Sequence, residues 1–143
     1  MAISISYSNV EAGVKAISSK VALKGEGTME RAAILEDDST LEKYYLAAMN
    51  MLYGIYGKFC SQVTKTGSGT STSYSFTLTM PGNWDSDQTR VGYLSLDYAI
   101  NYVCACWFEA VKPELEDRYK RLYETQGDTI VKELIIRKRP TRT

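Results

Sequence analysis

Residues 39–57 read Ser39-Thr40-Leu41-Glu42-Lys43-Tyr44-Tyr45-Leu46-Ala47-Ala48-Met49-Asn50-Met51-Leu52-Tyr53-Gly54-Ile55-Tyr56-Gly57, and they decide the class of fold. Leu41, Tyr45, Ala48, Leu52, Ile55 and Phe59 recur at steps of 4, 3, 4, 3 and 4, which stacks them along one face of an α-helix. Asp38 or Ser39 is placed to cap the start, and the acidic run Glu36-Asp37-Asp38 complements the positive end of the helix dipole. Tyr44, Met49, Met51, Tyr53 and Tyr56 carry apolar surface beyond that one stripe. A helix apolar on most sides lies deep in a core or meets more than one partner. In so small a domain, Tyr44, Met51 and Tyr53 point to an intersubunit surface.

Toward the N-terminus, Val10, Val14, Ile17 and Val21 predict a helix over 9–23, capped by Ser8 or Asn9 and followed by Gly25. Before it, Ile3-Ser4-Ile5-Ser6-Tyr7 alternates like a short strand or an extended arm, and residues 1–8 are read as an N-terminal arm. Residues 24–38 form a connector.

Toward the C-terminus, Tyr74, Phe76, Leu78 and Met80 alternate strictly with Ser75, Thr77 and Thr79. Phe59, Ser61, Val63 and Lys65 alternate more loosely, so the two runs predict a β-hairpin. Its tip, residues 66–73, has no apolar side chain and is expected to stay outside the core. Asp85-Ser86-Asp87 announces a helix over 88–111 that is apolar on two sides and belongs at the centre of the core. Pro113 suits the first turn of a last helix over 113–137, with Leu115, Tyr119, Leu122, Ile130 and Leu134 inward and Gly127 as a kink. The expected fold is mainly α, of the α+β kind: a bundle of about four helices with a β-hairpin and extended terminal arms, in one domain over 1–143.

The chain's 143 residues carry seventeen basic and seventeen acidic side chains and no His. Zero net charge argues against bulk attraction to nucleic acid or membrane. The lack of His removes the commonest general base and zinc ligand, so the sequence is read as non-enzymatic, without cofactor or metal. Three cysteines, Cys60, Cys104 and Cys106, have no framework spacing and are read as core fillers. No secretory signal and no run long enough for a membrane span is seen, which suits a soluble protein made in a bacterial cytoplasm.

Gly67-Ser68-Gly69 lacks the following Lys and helix that a phosphate loop needs. Asp85 and Asp87 are expected to cap a helix, and Trp84 to close a strand-to-helix corner. Arg137, Lys138, Arg139 and Arg142 crowd the last seven residues; without them thirteen basic residues face seventeen acidic ones, a net of −4. This basic C-terminal arm, 137–143, has two readings: a solvated end whose cations complement the C-terminus of the preceding helix, or an arm that contacts phosphates or the acidic surface of a neighbour. Its removal is expected to leave the fold intact.

Four segments together carry a resemblance: the Tyr/Leu helix, Ser75-Phe76-Thr77-Leu78-Thr79-Met80-Pro81-Gly82-Asn83-Trp84-Asp85, Cys106-Trp107-Phe108, and Leu134-Ile135-Ile136-Arg137-Lys138-Arg139-Pro140-Thr141-Arg142. Over roughly residues 5–142 the pattern resembles small neck or head–tail connector proteins of tailed bacteriophages, as in prophages and crAss-like phages of gut bacteria. The resemblance implies a virion protein of the neck or tail region, a homo-oligomeric ring between head (portal) and tail. Its partners would be copies of itself, the portal or other neck and tail proteins, and passing DNA without sequence specificity, with no membrane. The alternative is a small helical regulator or nucleic-acid-binding adaptor that uses the basic tail.

Overall fold

The strict alternation of residues 73–78 produces the strand around which the sheet is organised. A computed structural model of the chain describes residues 1–24 and 38–139. The elements run β1 (Ala2–Ser6), α1 (Tyr7–Lys24), α2 (Asp38–Tyr56), β2 (Cys60–Thr66), β3 (Ser73–Leu78), α3 (Gln88–Val111) and α4 (Pro113–Ile135). The strands form an antiparallel sheet in the order β1-β3-β2. The fold is thus mainly α, of the α+β class, with the expected hairpin formed by β2 and β3 and a bulge between Cys60 and Gln62.

The N-terminal segment is not an arm. β1 pairs with β3 in the register Ile3↔Phe76 and Ile5↔Tyr74, and both isoleucines are buried. Burial of each contributes about 1.5–3 kcal/mol, a gain that a solvated arm would forgo. Tyr7 already begins α1, two residues earlier than the sequence predicts, because Ser6 Oγ accepts from Asn9 N at 3.3 Å. Val10 and Val14 are buried as expected. The connector, from residue 25 to 37, lies outside the described residues.

The 66–73 tip also departs from expectation. Thr72 is buried; its Oγ1 donates to Gly69 O at 2.8 Å, and its carbonyl accepts from Tyr7 N at 2.9 Å. The tip therefore satisfies one of the free donors at the start of α1. Gly67 and Gly69 make this turn possible with φ of 73° and 55°. A polar residue enters the core here because its hydroxyl finds a partner.

On α2, Leu41, Tyr45, Ala48 and Leu52 are buried and Ile55 partly so, as the seam requires. Met49 and Tyr56 join them in the core. The Tyr45 hydroxyl donates to Ile5 O at 2.6 Å and Tyr56 to Ser95 Oγ at 2.5 Å, tying α2 to β1 and to α3. Asp87 caps α3, accepting from Arg90 N at 2.7 Å. α3 packs against α1, α2, α4 and β1, so it holds the central place foreseen for it.

Pro113 opens α4 with Glu114 and Glu116 in its first turn. The helix ends at Ile135, two residues short of the expected boundary, because the chain turns extended at Ile136. Leu122, expected to face inward, is exposed. α4 runs unbroken through Gly127, which is buried at a close approach: a Cβ there would stand 3.3 Å from both Ile55 Cδ1 and Tyr98 Cε2.

Candidate functional site

Chemistry first. Among the described residues no three His, Cys, Asp or Glu side chains are grouped so as to hold a metal ion. Burial pushes the Cys104 thiol up to about 12 and also raises Cys60 and Cys106, the opposite of what an activated thiolate requires. Asp87 is engaged as a cap, and the Gly67–Gly69 turn leads into β3, with no helix to receive a phosphate. No helix among the described residues is long and apolar enough to cross a membrane.

Contact surface is more informative. Met51 and Tyr53 are exposed by 46% and 54%, whereas Tyr44 is half-buried against the core. The sequence reading grouped these three, but the structure separates them. Two residues along a helix turn the direction by about 200°. Met51 accordingly lines a groove of about 430 Å³ between α2 and α4, with Ile55, Tyr123 and Val131 on its walls and Glu124 and Asp128 on its rim. Tyr53 lines a different groove, of about 370 Å³, between α2 and the sheet, together with Met49, Val63, Tyr74 and Phe76. There β2 is an outer strand of the sheet, and beyond Cys60 all its residues are exposed.

The basic tail begins as part of the subunit. Arg137 Nη1 donates to Leu134 O at 2.8 Å and to Ile136 O at 3.0 Å, and its guanidinium carbon lies 5.8 Å from the centre of the Phe59 ring. Lys138 N donates to Asn83 O at 2.7 Å and Asp85 N to Ile136 O at 3.1 Å, while Trp84 and Arg137 form an antiparallel bridge. Arg137 is therefore not a free cation, and the first residues of the tail are tied into the fold. Lys138 and Arg139 are exposed; Arg142 lies outside the described residues.

Trp84 does close the corner, its Nε1 donating to Glu133 O at 2.7 Å. The buried carboxylate of Glu133 was not foreseen. It meets Arg90 Nε at 2.9 Å and accepts from Ser86 Oγ at 2.6 Å, so it fastens the start of α3 to the end of α4. Its place beside Ile130 and Leu134 on the buried side of α4 is the only trace in the sequence.

No family model matches this chain, and no curated protein or solved structure matches it either.

Proposed function

We propose that the chain is a non-enzymatic subunit of an oligomeric ring, and that the ring joins head and tail in a phage virion. One observation carries the ring: Met51 and Tyr53 sit in two separate apolar grooves on opposite sides of α2. A closed ring is built from head-to-tail contacts, which use two different surfaces of every subunit. The setting in a phage neck rests on the sequence resemblance through Ser75–Asp85 and the basic C-terminal segment. The engagement of Arg137 by its own chain weighs against a tail devoted to nucleic acid.

Sedimentation and native mass spectrometry test the ring. A closed species of many subunits is expected, and recovery of the protein in purified particles is expected with it. A protein that stays monomeric, or stops at a two-fold dimer, overturns the ring.

A further inference from the structure

The groove between α2 and α4 has an apolar lining, Met51, Ile55 and Val131, and two carboxylates beside it, Glu124 and Asp128. Both carboxylates are on exposed residues, and neither forms an ion pair among the described residues. One turn beyond Val131, where α4 ends, the opposite chemistry is displayed. Ile135 and Ile136 are exposed by 55% and 37%, followed by exposed Lys138 and Arg139. The backbone of this segment is held by Asn83 O and Asp85 N, so its side chains are presented on a fixed knob. The backbone freedom that docking would otherwise cost is already lost in the folded subunit.

We propose that this knob of one copy docks in the acid-rimmed groove of a second copy, with Ile135 and Ile136 against the apolar lining and Lys138 and Arg139 against Glu124 and Asp128. Charge complementarity selects the occupant: two adjacent isoleucines with two nearby cations match an apolar lining with two nearby anions. The subunit's own Ile135 and Ile136 stay exposed and are not among the residues that line the groove, and the bonds to Asn83 and Asp85 fix the backbone that carries Lys138. The proposal rests on the self-assembly reading and names the contact through which assembly occurs.

Charge reversal tests it. Glu124→Lys with Asp128→Lys, and separately Lys138→Glu with Arg139→Glu, are each expected to raise the self-association constant for dissociation roughly a hundredfold. All four changes on one chain restore opposite charges across the contact and are expected to recover assembly. Assembly of the full chain is followed by sedimentation, and thermal unfolding checks that each variant is folded. Increasing salt should weaken the wild-type contact.

If the wild type assembles and neither reversal weakens it, or the combined variant is not rescued, the knob-and-groove contact is wrong while the ring stands. If rescue occurs but the assembly is a two-fold dimer, the contact stands and the ring falls. A wild type that is monomeric at every concentration overturns both.

Discussion

Ile100 packs directly over Gly13, and a Cβ placed on that glycine would stand 2.9 Å from Ile100 Cγ1. The Ile100 side chain fills the space that a side chain at position 13 would need. Alanine at 13 improves helix propensity by about 1 kcal/mol but overpacks the crossing at a cost of about 1–3 kcal/mol. Gly13→Ala is therefore expected to destabilise the protein. Gly54 is the control, since a Cβ there meets nothing within 4 Å. Gly54→Ala should stabilise by about 0.5–1 kcal/mol. Urea unfolding of the two variants should give shifts of opposite sign.

Neighbouring residues on α2 should respond differently to truncation. Leu52 is fully buried, and Leu52→Ala is expected to cost about 2–5 kcal/mol. Tyr53 is more than half exposed, and Tyr53→Ser is expected to change stability by no more than about 0.5 kcal/mol while weakening assembly. Thermal unfolding and sedimentation on both variants provide the check. If Tyr53→Ser unfolds the subunit as severely as Leu52→Ala, the second groove is core and not interface.

Alkaline pH should loosen the fold. Burial raises the phenols of Tyr45, Tyr56 and Tyr98 above their ordinary value of 10.0, and raises the Cys104 thiol to about 12. In the unfolded chain these groups lose protons at their ordinary, lower values. The unfolded state is thus favoured as they ionise: stability is full below about pH 9 and falls as pH rises through 10 and beyond. Melting temperature measured from neutral to strongly alkaline pH should show that fall. Tyrosinate absorbance should show some of the tyrosines ionising only as the protein unfolds.

Arg137 and Arg139, two residues apart in the tail, should separate structure from contact. Arg137→Ala removes two carbonyl bonds and the Phe59 contact, and is expected to cost about 1–2 kcal/mol. Arg139→Ala should leave stability within about 0.5 kcal/mol. Equal stability of both variants in denaturant unfolding would show that the Arg137 side-chain contacts contribute nothing.

The helices were legible in the sequence because their signal is local. The seam of α2 and the Asp87 cap each involve residues within a few turns of one another, as does Pro113 at the start of α4. β1 was not legible as part of the sheet: five alternating residues describe a strand and an arm equally well, and the strand that decides between them lies some seventy residues away. Thr72 and Glu133 were missed for a related reason. The Glu133 carboxylate is buried because Arg90 and Ser86 meet it, and Thr72 is held at the start of α1 by Tyr7 N on its carbonyl; all three partners come from distant parts of the chain. The separation of Met51 from Tyr53 was within reach, since the turn per residue alone assigns them to opposite sides of α2.

The pairing of β1 with β3 also sets an order of events in time. Met1 N bonds to Leu78 O, a partner 77 positions along the chain, whereas β2 and β3 are joined by a short turn, and α3 and α4 by Lys112 alone. Closing the long loop costs more entropy than forming either hairpin, so the first strand adds to a sheet edge that is already made. On the ribosome, Ile3 and Ile5 stay without their strand partner until residues 73–78 have emerged. Once they have emerged and paired with β2, the side of β3 destined for β1 stays open until β1 arrives. A young chain thus carries an unfilled strand position and a loose strand of the same kind. Two such chains close together can trade first strands, a hazard that ends once β1 has zipped onto its own β3.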